Sequence, residues 1–176
     1  MGVPSAPDTL TLRTHRDLEG RRGYVWVRRA LLVLLVAIVV AALSNAFGQR
    51  PETSSTATTA ARLQVYAPVH ARSGLVYAAR FRIDARRELR HATLVLWPGW
   101  AEQYTVNGLA PQPLTEGSDD GKLSFGFGDV PAGQHLTFWI SLQINPTNIG
   151  HRSQRVQLYD GKRLLLTVNR TITIFP

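Results

Sequence analysis

A chain of 176 residues with 20 Lys and Arg against 12 Asp and Glu carries a formal net charge of +8, yet it contains no cysteine. Disulfides and thiolate metal sites are excluded, so any folded part must be held by packing alone. The charge divides into +3 on residues 1–49 and +5 on residues 50–176; because the element order below places the larger share outside the cytoplasm, nucleic acid is not an expected partner.

Residues 1–29 read as a basic arm in which Arg13, Arg16, Arg21, Arg22, Arg28 and Arg29 outnumber Asp8, Asp17 and Glu19. From Ala30 to Phe47 there is no charged residue. A helix over 30–47 rises about 1.5 Å per residue and so reaches roughly 27 Å, close to the hydrocarbon thickness of a bilayer. We therefore read 30–47 as a transmembrane helix. Lys and Arg flanking a span stay in the cytoplasm, which puts the amino terminus inside and the carboxy-terminal domain outside. Tyr24 and Trp26 fall at the depth where interfacial aromatics sit.

An alternative stays open, in which the chain is secreted after cleavage near Ala46. Leu31–Leu43 has the length of a signal h-region, and Ser44-Asn45-Ala46 offers small residues to a peptidase. The length of the arm favours a retained single-pass anchor in the cell membrane. Only Lys122 and Lys162 interrupt an otherwise all-arginine cationic set, a bias that, with abundant Ala, Val and Leu, points to a GC-rich bacterial genome and a place in the cell envelope.

Residues 48–61 are rich in Thr, Ser and Ala and read as a linker. From 62 to 176 the apolar period is two, the pattern of strands that bury one face. Leu75, Tyr77, Ala79, Phe81 and Ile83 alternate with Val76, Ala78, Arg80, Arg82 and Asp84, while Leu136, Phe138, Ile140, Leu142 and Ile144 alternate with Thr137, Trp139, Ser141 and Gln143. Shorter strands are expected at 62–67, 92–97, 103–107, 122–127, 155–159 and 163–174. Turn signals separate them at Arg72-Ser73-Gly74, Trp97-Pro98-Gly99, Asp120-Gly121, Pro131-Ala132-Gly133, Asn145-Pro146 and Asp160-Gly161, the last being the best hairpin turn. Arg170 falls in phase with Leu164, Leu166, Val168, Ile172 and Ile174, so a bulge or an edge position is expected to carry it out of the core.

Short strands at this spacing, without a soluble helix, predict a mainly β fold: a two-layer antiparallel sandwich behind a single transmembrane helix. The stretch from Leu123 through Phe125, Gly126, Phe127, Gly128, Asp129, Val130, Pro131, Ala132 and Gly133 to Gln134, followed by a long alternating strand, resembles the strand, Pro-Gly corner and strand of bacterial extracytoplasmic immunoglobulin-like domains. That resemblance implies an adhesion, spacer or accessory module and names no partner.

Chemistry is not indicated. The histidines at 70, 91, 135 and 151 lack metal-ligand spacing, Glu116, Asp119 and Asp120 lack the alternating ligands of a calcium loop, and Gly126-Phe127-Gly128 lacks a third glycine and a following helix. No serine sits in a nucleophile elbow. We expect no enzyme, no metal and no cofactor.

Three features suggest contacts instead. Trp97-Pro98-Gly99-Trp100 with Tyr104 offers one core tryptophan, expected to be Trp97, and an aromatic platform formed by Trp100 and Tyr104. Trp139 is placed by its period on an outer face, a plausible interface anchor, with Arg80 and Arg82 also directed outward. Finally, counting antiparallel strands places Arg86, Arg87 and Arg90 at the same membrane-proximal end as Arg152, with Trp100, Pro131 and Asp160 at the far end. The expected partners are the lipid bilayer through 30–47, an integral membrane or envelope protein, and anionic lipid or an acidic wall polymer. The leading reading is an accessory or interaction module displayed outside the cytoplasm; the alternative is an envelope polysaccharide or acidic-polymer binding module.

Overall fold

The computed structural model describes residues 22–44 and 49–176. The expected arm up to residue 21 and the stretch 45–48, which holds the end of the expected span and the cleavage point, lie outside the described residues. The chain divides into two units, 1–46 and 47–176.

The described residues of the first unit form one α-helix, α1, running from Arg22 to Leu43. It starts eight residues before the expected Ala30, because Tyr24, Val25, Trp26 and Val27 extend the apolar run back through Arg28 and Arg29. Its stretch Gly23–Leu43 is long and apolar enough to cross a membrane. The Arg29 guanidinium lies 5.7 Å from the ring centre of Trp26, an i, i+3 pair on one helix face. At the other end Ser44 Oγ donates to the Ala41 carbonyl at 2.9 Å.

The second unit is an immunoglobulin-like β-sandwich of ten strands: β1 (Arg50–Ala57), β2 (Ala61–Arg72), β3 (Val76–Ala85), β4 (Leu89–Leu96), β5 (Tyr104–Ala110), β6 (Thr115–Asp119), β7 (Lys122–Val130), β8 (His135–Ile144), β9 (Gly150–Asp160) and β10 (Arg163–Phe175). One layer runs β5-β8-β3-β2, with β1 added beside β2, and the other runs β10-β9-β4-β7-β6. Every pairing is antiparallel except a short parallel one, in which Thr173, Ile174 and Phe175 of β10 meet His70, Ala71 and Arg72 of β2 and join the layers.

The layers meet through aromatic rings. Phe138 on β8 packs against Phe125 and Phe127 on β7, with ring centres 5.1 and 5.0 Å away, and Phe81 on β3 packs edge-on to Trp100 at 5.3 Å. Around this seam the inward phase of each strand is buried: Leu63 and Val65, Ala79 and Ile83, Leu94 and Leu96, Ile140 and Leu142, Val156 and Leu158, Val168 and Ile172. Burying side chains of this size stabilises by about 1.5–3 kcal/mol each, which is how a chain without disulfides holds two sheets together.

Two strands differ from expectation. The stretch 48–61 is not simply a linker, because β1 occupies Arg50–Ala57 and pairs with β2 from Arg50↔His70 to Ala57↔Arg62. Its Thr and Ser residues suit an exposed strand while giving no apolar alternation. β6 is wholly exposed and equally silent in hydropathy. It closes on β7 through Asp120 and Gly121, whose φ values of 47° and 70° make the left-handed two-residue hairpin turn that an Asp-Gly pair favours.

Arg170 also departs from expectation. The register slip in β10 falls between Leu164 and Leu166; it turns Leu164 outward and leaves Arg170 in the core at 7% exposure.

Gly99 shapes the loop after β4. Pro98, Gly99 and Trp100 form a 3-10 turn, and a Cβ at Gly99 would collide with the Ser153 carbonyl oxygen on β9. Only glycine lets this turn lie against β9 and drive Trp100 between the sheets. Gly99→Ala is expected to destabilise the sandwich by about 1–3 kcal/mol, the range for overpacking a tight site, read as a lower thermal midpoint for the full chain in detergent; an unchanged midpoint would show the turn to be loosely held.

Candidate functional site

The outer face of the layer β5-β8-β3-β2-β1 is built by alternation. Because Leu63, Val65 and Ala67 point inward, Arg62, Gln64 and Tyr66 point out of β2. On β3 the outward set is Ala78, Arg80, Arg82 and Asp84, and on β8 it includes Thr137, Trp139, Ser141 and Gln143. The register then lines up Thr53, Tyr66, Arg80, Trp139 and Ala110 as one row across five strands. Arg80 sits between two rings, its guanidinium carbon 4.9 Å from the centre of Tyr66 and 5.4 Å from that of Trp139. Such cation–π contacts contribute about 0.5–1 kcal/mol each at exposed sites. Trp139 nevertheless remains 40% exposed. In the next row Arg82 Nε donates to Asp84 Oδ1 at 2.8 Å.

The structure thus brings together Arg80, Arg82 and Trp139 and separates them from the other expected contact residues. Trp100 is fully buried and Tyr104 is 9% exposed, so the aromatic platform expected from that pair is absent from the surface. The two tryptophans exchange the roles assigned to them. Trp97 is half-buried on the outer side of the other layer, where it carries Arg155 at 4.2 Å and Lys122 at 5.1 Å from its ring centre, and its indole N–H donates to Gln157 Oε1 at 2.9 Å. Strand phase accounts for the exchange, because Ala92, Leu94 and Leu96 point inward and Trp97 is the next, outward position. Tyr66, which packs on Arg80, is the aromatic member of this row that the alternation in the sequence does not single out. Its signal was an aromatic in the polar phase of β2.

The basic turns are also redistributed. Arg86 and Arg87 bond through their backbone N–H groups to the Ala60 carbonyl, and Ala85 N–H bonds to the Gln134 carbonyl. Arg90 and His91 N–H groups bond to Asp160 Oδ1 at 3.0 and 2.9 Å. Arg86, Arg87 and Arg90 therefore share an end with Pro131 and Asp160. Arg152 lies at the opposite end, donating to Asn148 Oδ1 at 2.9 Å and Gln103 Oε1 at 3.1 Å, on the side of Trp100. The unexpected strand β6 is the reason, since one extra strand reverses the direction of every strand after it.

Inside the same end sits a polar cluster that sequence reading did not foresee. Arg170 Nη2 donates to the consecutive carbonyls of Ala67 and Pro68, each at 2.8 Å, and its guanidinium lies 5.5 Å from the Trp100 ring centre. Gln154 Nε2 donates to the Tyr77 hydroxyl at 3.3 Å, and the Tyr77 ring meets Tyr104 edge-on. Among the described residues no carboxylate hydrogen-bonds to this arginine; burial lowers its pKa from the usual arginine value, opposed by the nearby Tyr77, Glu52 and Tyr104. Burial likewise raises the Tyr77 and Tyr104 hydroxyls above the usual tyrosine range. Among the described residues no group of three His, Cys, Asp or Glu side chains is placed to hold a metal. Its bonds link β10 to β2 and β9 to β3, while Arg170 Nε and Nη1, the Tyr104 hydroxyl and Gln154 Oε1 are buried without a hydrogen-bond partner among the described residues.

No family model matches the chain, and no curated protein matches it. Among solved structures, the solution structure of CaCohA2 from Clostridium acetobutylicum is similar at 15% identity and a TM-score of 0.43, covering 61% of this chain and 86% of that one. A non-cellulosomal cohesin from the hyperthermophilic archaeon Archaeoglobus fulgidus is similar at 14% identity and a TM-score of 0.42, covering 71% of this chain and 92% of that one.

Two outcomes follow from the buried cluster. Arg170→Ala strands the Ala67 and Pro68 carbonyls and opens a cavity, and should cost about 2–5 kcal/mol in chemical denaturation, whereas an exposed arginine such as Arg163 should change stability by less than about 0.5 kcal/mol. Because the tyrosine hydroxyls are raised in the folded state, the unfolded chain loses its phenolic protons first. The contribution of these tyrosines to stability is then constant well below pH of about 10 and falls above it, by up to about 1.4 kcal/mol per pH unit for each such tyrosine. Alkaline unfolding monitored by circular dichroism should show this fall, and Tyr77→Phe should flatten it.

Proposed function

We propose that this chain is a single-pass membrane protein whose β-sandwich acts outside the cytoplasm as an interaction module, recognising another membrane or envelope protein through the outer face of β2, β3 and β8. The observation that carries the reading is the row Tyr66–Arg80–Trp139. A large aromatic with no core to fill, ordered by a cation and still 40% exposed, has the character of an interface anchor, since binding energy concentrates on Trp, Tyr and Arg. Membrane attachment is supported by the length and apolarity of α1 and by the arginines before it, which favour a cytoplasmic amino terminus.

A polymer-binding module for acidic wall material draws less support. That reading rests on Trp100 and Tyr104 as an aromatic platform, both of which are buried, together with the outward arginines Arg80 and Arg82, which do lie on the surface. The basic turns split between the two ends, which weighs against a single cationic surface for anionic lipid or polymer.

The absence of native cysteine gives a clean test of topology. Ser118→Cys on exposed β6 should react with a membrane-impermeant maleimide on intact protoplasts, while Thr9→Cys should react only after permeabilisation; the reverse pattern would overturn the orientation. The intact mass should retain the arm, and a chain beginning at Phe47 would replace the anchor with a secreted protein. Trp139→Ala should cost about 1–2 kcal/mol of stability, from the lost cation–π contact and partial burial of the ring, and leave the chain folded, yet abolish co-purification of a defined membrane partner from gently solubilised membranes.

A further inference from the structure

The three arginines on the outer face of β2 and β3 are not equivalent. Arg82 is tied to Asp84 at 2.8 Å. Arg62 lies against Gln64, whose amide oxygen, turned toward it, accepts from Nη2 at 3.2 Å and from Nε at 3.3 Å. Arg80 is held instead by Tyr66 and Trp139, at 4.9 and 5.4 Å from the ring centres, and among the described residues it donates no hydrogen bond. Ring contacts restrain a guanidinium without consuming any of its N–H donors. What results is a positioned fork with every donor free, the geometry that matches a carboxylate through two parallel bonds.

The surroundings of Trp139 add a second element. Its neighbours across the strands and in the adjacent row are Ala110, Gly108, Ala78 and Ser141. On this side the small neighbours leave Trp139 40% exposed, so an apolar side chain of a partner can cover the ring. With Arg82 and Arg62 already engaged by groups of this chain, Arg80 is the uncommitted cation in the middle of the β2–β3 face among the described residues. A phosphate-rich lipid surface would instead call for several free cations together, whereas a single carboxylate needs one.

We infer that Arg80 and Trp139 form a receptor for an acidic segment of a partner protein, in which an Asp or Glu carboxylate pairs with the Arg80 fork and an adjacent apolar side chain covers Trp139. This rests on the interaction-module reading above and names the chemistry of the partner. Arg82 and Arg62 flank the contact and favour further acidic residues along the segment through long-range attraction, which governs the on-rate more than the affinity.

The test uses the full chain in its native membrane, with a photoreactive benzoyl-phenylalanine at position 78 on this face or at position 167 on the outer face of the other layer. Position 78 should crosslink to a protein segment that contains Asp or Glu. A synthetic peptide of that segment should then bind the full chain in neutral-lipid nanodiscs, and replacing its acids by Asn or Gln should weaken it at least about tenfold. Arg80→Gln and Trp139→Ala should each reduce crosslinking about tenfold or more, and Arg80→Lys, which keeps the charge and loses the fork, at least about threefold. Thermal midpoints of all three variants establish that folding is intact. Crosslinks from position 78 to lipid, to glycan, to a second copy of this chain or to a segment without carboxylates overturn the proposal. Crosslinks from position 167 alone overturn it while preserving an interaction module, and silence at both positions removes both readings.

Discussion

The aromatic seam between the two layers is the constraint on which the rest of this sandwich depends. Trp100 against Phe81, and Phe138 against Phe125 and Phe127, fix which side of β3, β7 and β8 faces inward. Once that phase is set, a strand period of two leaves no freedom to its neighbours. Arg80 and Trp139 are on the surface because Ala79, Phe81, Phe138 and Ile140 are not. This outer face is thus a by-product of core packing, and a one-residue register slip in β3 or β8 would dismantle core and face together.

The seam also explains an unusual core charge. Trp100 enters from the Pro98–Trp100 turn, made possible by Gly99, and supplies the ring beneath Arg170. The guanidinium bonds to the Ala67 and Pro68 carbonyls beside the point where the β1–β2 register slips. A buried cation is expensive unless it is hydrogen-bonded. Here it ties β10 to a distorted part of β2, close to the short parallel pairing that joins the sheets.

Much of this was legible from residues alone. The alternation in 75–83 and 136–144 predicts both the inward rings and the outward Trp139, since apolar and polar positions there are cleanly separated. β1 and β6 were hidden for the opposite reason: Thr-Ser-Ser-Thr and Thr-Glu-Gly-Ser-Asp bury almost nothing, so hydropathy carries no period. Missing β6 reversed the inferred direction of later strands and sent Arg152 to the wrong end. The exchange of Trp97 and Trp100 has another origin: extending the phase of Ala92, Leu94 and Leu96 by one residue puts Trp97 outside, but the tight turn that brings Trp100 back in depends on contact with Ser153 of a distant strand. Arg170 shows the limit of residue-type rules, since its place in the core depends on carbonyls and a ring from elements far away in sequence.

The most direct measurement of this phase is the solvent exposure of the individual tryptophans. Full-length protein labelled with 5-fluorotryptophan, its fluorine resonances assigned through Trp26→Phe, Trp97→Phe and Trp139→Phe, can be titrated with a soluble paramagnetic agent. The Trp139 signal should broaden steeply while the Trp100 signal stays sharp. A protected Trp139 beside a broadened Trp100 would contradict the packing, and with it the surface built upon it.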